Sequence, residues 1–198
     1  MSGLILPGKP SYRGALCHGG LAAITADGER GARVLASVDP EHLRTIRAAG
    51  RLAWLPAVAL DEINAAYLRE AGAAGYLEFW RRYTVGAVET TLFGGLFNGA
   101  LRIFGRSPSG LIKWIGRAWQ ITTRGYGLPS VTEHGDDVRV TMQGLLPECR
   151  RVTVALSMQA SVVALIELTK YVPEVSCDLD RLEADGSFEI TARWTPMA

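Results

Sequence analysis

The chain of 198 residues has 48% hydrophobic residues, 21% charged residues and a net charge of +1, values that are ordinary for a globular protein. Its length is typical of one domain with a substantial buried core, and we expect residues 1–198 to form a single domain. The small net charge argues against a nucleic-acid partner, as does the lack of a helix–turn–helix or an aromatic RNA-binding motif.

The cysteines and the first residues of the chain indicate its compartment. Cys17, Cys149 and Cys177 are odd in number and far apart, which argues against a disulfide framework and favours a reducing environment. The opening MSGLILPGKPSYRG lacks the basic start and the long apolar run of a signal peptide. We therefore expect a cytoplasmic protein.

Residues 1–38 are rich in glycine and alanine and carry a turn signal at TADGERG. We expect an irregular or short-stranded segment here, with GALCHGGLAAI and ARVLASV as short strands. A helical part then covers residues 39–124. Asp39-Pro40 is typical of a helix N-terminus, and EHLRTIRAAG predicts a short helix ending at Gly50. A second helix begins at Asp61-Glu62 and stops near Gly72.

The stretch TVGAVETTLFGGLFNGALRIFG, residues 84–105, is apolar enough to raise the question of a membrane span. Only twelve uncharged positions separate Glu89 from Arg102, whereas a transmembrane helix needs about 20 predominantly apolar residues. The apolar residues recur at helical spacing instead. We interpret the stretch as a helix buried within the protein.

Residues 107–125 are predicted to form a basic amphipathic helix, SPSGLIKWIGRAWQITTRG, capped by Ser107-Pro108. Its basic stripe consists of four residues spaced seven, four and seven positions apart: Arg106, Lys113, Arg117 and Arg124. One interpretation is a solvated face opposite buried tryptophans. The other is a docking face for an acidic protein partner or an anionic membrane surface.

From residue 128 the hydrophobic period changes to two, which predicts strands with one buried face. The alternating segments are DDVRVTMQG, PEVSCDLD and SFEITARW, and a further strand is expected around SVTE. Between them VTVALSMQASVVALIELTK is apolar nearly all round, so we expect a buried helix clamped between sheet and bundle. The fold class is therefore α+β: an N-terminal helical bundle packed on an antiparallel sheet, in the order helices–ββ–α–ββ over residues 128–195.

This order resembles the TRAPP-like fold group, which contains the four-vinyl-reductase ligand domains and, more distantly, the haem–nitric-oxide-binding domains. VPEVSCDLDRLEADGSFEITARW is similar to the terminal hairpin of the four-vinyl-reductase domain, with Cys177 at the first of its two usual cysteines and Ser187 or Phe188 near the second. FGRSPSGLIKWIGRAWQITTRG resembles uncharacterised myxobacterial proteins of this build. The resemblance implies a ligand cavity between helices and sheet.

No catalytic residue, metal site or cofactor is predicted. Structural zinc sites usually contain close cysteine pairs, which this chain lacks. His18, His42 and His134 do not lie in an apolar helix, and the YxSxR pattern that binds haem propionates is missing, so haem is not expected. GxSxG and glycine-rich phosphate loops are also missing.

These observations favour a non-enzymatic protein-interaction, scaffolding or regulatory domain, with a protein partner or self-association as a homodimer. The alternative is a sensor domain that binds a small apolar ligand between helices and sheet. For that alternative, the predicted pocket residues are Phe93, Phe97 and Phe104, which neighbour several glycines.

Overall fold

Helices form the N-terminal part of the molecule. The fold is given by a computed structural model that describes residues 9–88, 94–95, 97–99, 101, 107–134 and 137–197. The first four helices are α1 (Gly14–Thr25), α2 (Gly28–Ala36), α3 (Pro40–Ala48) and α4 (Ala57–Ala87). The side chain of Asp39 accepts a hydrogen bond from the amide of Glu41, which confirms the predicted start of α3.

The short strands predicted within residues 1–38 are wrong, because these segments form α1 and α2. In α1 the buried side chains of Cys17, Leu21 and Ile24 recur every three or four residues, so helical packing against the core decides the structure. Glycine at position 31 lets the two helices cross closely, since a Cβ atom there would lie 1.8 Å from the carbonyl oxygen of Ile24.

Helix α4 is the longest element. The predicted helix end near Gly72 is confirmed as a break between two helical segments, where Gly72 adopts the non-helical φ 67° and ψ 176° before the second segment begins. Glycine tolerates this positive φ at no steric cost. The second half of α4 buries Tyr76, Phe79 and Trp80 and extends the helical part to Ala87.

The predicted single basic helix is also wrong, because the chain forms α5 (Pro108–Lys113), α6 (Ile115–Thr122) and strand β3 (Thr123–Arg124) instead. Ser107 does cap α5, accepting a hydrogen bond from the amide of Gly110. The break at Trp114 has a packing reason. Helix α5 packs on the apolar helix 152–167 and on strand β4, and α6 continues along β4 and contacts β1 and β3 of the smaller sheet.

The described residues form two antiparallel sheets. The smaller consists of β1 (Ser11–Arg13), β2 (Trp54–Pro56) and β3, in the order β2-β1-β3, and the sequence did not predict it. The larger contains β4 (Leu128–His134), β5 (Asp137–Gln143), β6 (Tyr171–Asp178) and β7 (Phe188–Pro196), in the order β4-β5-β7-β6. Its strands and their buried faces confirm the alternating patterns.

Helix α7 (Val152–Glu167) lies between the two parts of the molecule. It packs against α4 on one side and against β6 and β7 on the other, as predicted. A single 3₁₀ turn (Pro147–Cys149) precedes it, and α8 (Leu182–Asp185) connects β6 to β7. The α+β class and the order helices–ββ–α–ββ are confirmed. Among the described residues, no helix has the length and apolar character needed to span a membrane.

Candidate functional site

A pocket of about 180 Å³ lies where α4, α6 and α7 approach one another. Apolar and aromatic side chains form most of its wall, and four tryptophan and tyrosine rings from α4 and α6 and their neighbours contribute: Trp80, Tyr83, Trp114 and Trp119. Leu60 of α4 and Met158 and Leu165 of α7 complete the apolar wall. Of the predicted pocket residues, Phe97 lines this pocket, whereas Phe93 and Phe104 lie outside the described residues.

Three hydroxyl groups of α4 and α7 add a polar strip to the wall. Ser161 donates a hydrogen bond to the carbonyl oxygen of Ser157 at 2.9 Å, and Ser157 donates to that of Val154 at 3.0 Å. The hydroxyl oxygens of Thr84 and Ser161 are 3.2 Å apart. Because Ser161 has already used its single proton, Thr84 is the donor in this pair.

Two polar atoms in the pocket wall have no hydrogen-bond partner among the described residues. They are Oδ1 of Asn64, a residue with 6% exposure, and Nε1 of Trp80. The indole Nε1 approaches the hydroxyl of Tyr76 without forming a well-aligned hydrogen bond. A buried polar atom left unpaired costs about 1–3 kcal/mol, so these atoms are candidates for contact with a ligand.

Behind one wall of the pocket lies a buried carboxylate, Asp61, with 2% exposure. The hydroxyls of Tyr12 and Tyr126 each donate to it at 2.9 Å, and Nε of Arg151 lies 3.5 Å away. Burial raises the pKa of Asp61, and the two hydrogen bonds and the Arg151 charge offset only part of that rise. Tyr12 also lines the pocket, so it connects the pocket to this carboxylate.

The four residues of the predicted basic stripe do not share one helix. Lys113 forms an ion pair with Glu133 at 2.9 Å. Arg124 belongs to β3, and its guanidinium lies 3.9 Å from the centre of the Trp54 ring. Arg117 is exposed on α6, and Arg106 lies outside the described residues. Their role in partner or membrane binding stays a prediction.

Sequence reasoning missed Asn64 and misjudged Asp61. We interpreted Asp61 as an acidic residue that favours a helix start, but the helix begins at Ala57 and Asp61 is buried within it. A signal was present: Asp61 and Asn64 lie on the same face as the apolar residues Leu60 and Tyr67. Polar residues on a buried helical face require partners, and this marks them as structural or functional.

Comparisons with solved structures identify the fold. An oxygen-binding H-NOX domain related to soluble guanylate cyclases, in its oxygen complex, matches with a TM-score of 0.62 and 14% identity, over 94% of this chain and 97% of that chain. A structure from a study of haem distortion in the H-NOX family matches with a TM-score of 0.63 and 12% identity, over 94% of this chain and 96% of that one.

A third similar structure is an Fe(II) unliganded H-NOX protein from K. algicida, with a TM-score of 0.61 and 7% identity over 92% of this chain and 96% of that chain. No protein-family model matches the sequence, and no curated protein is similar to it. At these identities the likeness shows the fold alone.

The resemblance to TRAPP-like and four-vinyl-reductase domains is therefore wrong. The matched structures are H-NOX domains over nearly the whole chain, including the N-terminal helices that the resemblance left out. Strand order and one cysteine are weak criteria, since Cys177 is simply a half-buried residue of β6. The likeness to myxobacterial proteins rested on the stretch FGRSPSGLIKWIGRAWQITTRG together with the chain length, and the structure divides the helix predicted there in two.

The residues of this chain do not fit a haem group. Haem iron is held by His, Cys, Met or Tyr, and no histidine or cysteine lines the pocket among the described residues. His18 bonds to the carbonyl of Ala49 at 2.8 Å, His42 pairs with Glu62 at 2.7 Å, and His134 is exposed at the end of β4. These three are the only histidines of the chain.

The remaining potential iron ligands are equally unsuitable. Burial raises the pKa of Tyr83, which disfavours its phenolate form, and Tyr12 is engaged with Asp61. Met158 lacks the histidine that accompanies methionine in cytochromes. The described lining residues include no cation for the propionates, and a tetrapyrrole far exceeds about 180 Å³. No cluster of three or more His, Cys, Asp or Glu side chains that could hold another metal occurs in the described residues.

Proposed function

We propose that this protein is a sensor domain that binds a small, uncharged, largely apolar molecule directly in the pocket between α4, α6 and α7, without haem. The pocket itself is the observation that carries the proposal. The fold of this chain is similar to that of an oxygen-binding H-NOX domain related to soluble guanylate cyclases, which supports a ligand-responsive role. The proposal assigns no catalytic role to any residue.

The pocket wall determines the charge and the size of the ligand. No ionised side chain is among the described lining residues, so a charged ligand would lose its hydration without gaining an ion pair. Pockets for drug-sized ligands measure about 300–1,000 Å³, whereas a cavity of about 150 Å³ holds benzene. At about 180 Å³ this pocket suits a ligand with a single ring or a short aliphatic chain.

Ligand binding would act on the elements that connect the two parts of the molecule. Helices α4 and α7 both line the pocket, and α7 packs against the larger sheet. A ligand that fills the pocket therefore strengthens the contact between α4 and α7. This interpretation has better support than a scaffolding role, because the similar solved structures include an oxygen-binding domain. A protein partner, a homodimer and a cytoplasmic location stay predictions.

Thermal unfolding with toluene as the probe tests the proposal. We expect toluene to raise the melting temperature of the wild type, since a ligand at about 100 times its Kd contributes about 2.7 kcal/mol of stability. Ala118→Phe, which fills the pocket from α6, should abolish this rise. Ala32→Phe, on the exposed face of α2, makes the same substitution outside the pocket and should leave the rise intact.

Haem addition provides the competing test. We expect no Soret shift when hemin is added to the purified protein, and no haem after expression with excess haem precursor. A stoichiometric Soret shift that Ala118→Phe removes and Ala32→Phe preserves would show that the pocket opens to accept haem, and the proposal would be wrong. A wild type whose melting temperature does not respond to toluene would also contradict it.

A further inference from the structure

Asn64 is the polar group of the pocket whose hydrogen bonding is incomplete. It lies in α4 between Leu60 and Tyr67, lines the pocket, and is 6% exposed. Its Oδ1 is shielded from solvent and has no partner within the described residues. The terminal torsion of asparagine is soft, so a rotation of the amide turns a polar atom toward the pocket at little cost.

The neighbouring polar groups limit what the pocket can offer a ligand. The protons of Ser157, Ser161 and Thr84 are all used within the protein, so these hydroxyls present only acceptor lone pairs. Nε1 of Trp80, which forms no well-aligned hydrogen bond, is a donor in the same wall. A ligand group that both donates and accepts hydrogen bonds matches this combination, whereas a hydrocarbon leaves it unsatisfied.

A hydroxyl group has both capacities and carries no charge at neutral pH. We propose that Asn64 anchors the hydroxyl of the ligand, so that the pocket selects small apolar alcohols or phenols over hydrocarbons of the same size. This inference rests on the proposed function. The ligand hydroxyl donates to the amide oxygen of Asn64 and takes its remaining hydrogen bond from the pocket wall, while its apolar body lies against Leu60, Met158 and Leu165.

Phenol and toluene are suitable probes because they differ only in a hydroxyl and a methyl group of similar size. We expect calorimetric titration to give the wild type a lower Kd for phenol than for toluene. In Asn64→Leu, which keeps the side-chain shape, the ratio of the two Kd values should shift about fivefold toward toluene, because one buried hydrogen bond contributes about 1 kcal/mol.

A purely structural role for Asn64 predicts a different result. If Asn64 only supported the fold, Asn64→Leu would lower the melting temperature of the ligand-free protein and would weaken the binding of phenol and of toluene equally. We expect instead that it keeps or raises the melting temperature, since it removes an unpaired buried oxygen. Thr84→Val, which removes a neighbouring hydroxyl acceptor, gives a second variant should Asn64→Leu fail to fold, and we expect it to disfavour phenol in the same direction.

The outcomes separate this inference from the proposed function. If neither probe binds the wild type, the proposed function fails and the inference with it. If both bind and the Kd ratio is the same in the wild type, Asn64→Leu and Thr84→Val, the pocket binds apolar molecules without a polar anchor, and only this inference is overturned. Equal affinity for both probes in the wild type would indicate that a water molecule already satisfies Asn64, which overturns it as well.

Discussion

Asp61 is a buried residue whose ionisation affects stability, because burial raises its pKa despite two tyrosine hydrogen bonds and the nearby Arg151. An unfolded aspartate titrates near pH 3.9. Below that pH both states hold the proton. As the pH rises through the window between about 3.9 and the raised folded pKa, the unfolded state releases its proton first, and the folded state loses stability.

We therefore expect the wild type to lose unfolding free energy relative to Asp61→Asn as the pH rises from about 4. Urea unfolding of both proteins at a series of pH values measures this difference. Acids such as Asp137 and Asp185 have lowered pKa values, through hydrogen bonds from Arg193 and from Ser187, and act in the opposite direction. The wild type and Asp61→Asn both contain these acids, so their contributions cancel in the difference between the two proteins. A wild type that gains on the variant with rising pH would show that the hydrogen bonds outweigh burial.

At the scale of elements, the crossing of α1 and α2 depends on the missing side chain of Gly31. A Cβ atom there would lie 1.8 Å from the backbone oxygen of Ile24, which has no freedom to rotate away. Gly86, inside α4, has open space around the same position. Replacing glycine by alanine is therefore expected to have opposite effects on stability at these two positions.

We predict that Gly31→Ala lowers the free energy of unfolding by about 1–3 kcal/mol, because the two helices must separate. Gly86→Ala should raise it by up to about 1 kcal/mol, the helix propensity of alanine over glycine. Denaturant unfolding measures both. A higher free energy of unfolding in both variants would mean that α1 and α2 cross further apart than described.

The sequence predicted correctly those elements whose hydrophobic pattern alone specifies the type of secondary structure. Strands β5 and β7 alternate buried and exposed residues, and α7 is apolar on every side, so local periodicity sufficed. Helices α1 and α2 were missed because their glycines, three in α1 and two in α2, lower the intrinsic helix propensity, and packing decides their structure. The pocket needs contacts such as that of Thr84 with Ser161, 77 residues apart, which no local pattern specifies.

Across the whole molecule, α7 is the element on which both parts depend, since it packs on α4 and on the larger sheet. Arg81 of α4 reinforces the first contact through a 2.7 Å ion pair with Glu167 at the end of α7. A helix shared in this way couples the unfolding of the two parts. We propose on these grounds that residues 1–198 behave as one domain, which stays to be tested.

The test uses one substitution at two positions of α7. Val162 is fully buried, and Val162→Asp places an unpaired charge in the core at a cost of several kcal/mol, comparable to a total stability of about 5–15 kcal/mol. Val152 is 43% exposed at the first position of the helix, where an acid favours the helix dipole by about 0.3–1 kcal/mol. Val162→Asp should therefore unfold the protein, while Val152→Asp should leave its melting temperature unchanged or slightly raised.

Circular dichroism and tryptophan fluorescence followed on the same thermal ramp check both expectations. Circular dichroism reports on helices and strands together, whereas four of the five tryptophans precede residue 128 and report mainly on the helical part. One domain therefore gives coincident transitions for the wild type and for Val152→Asp. In Val162→Asp both signals should be lost together at room temperature. Retention of sheet structure with loss of only the helical part would instead show two units that fold independently, because the charge in α7 would then have disrupted one packing face and spared the other.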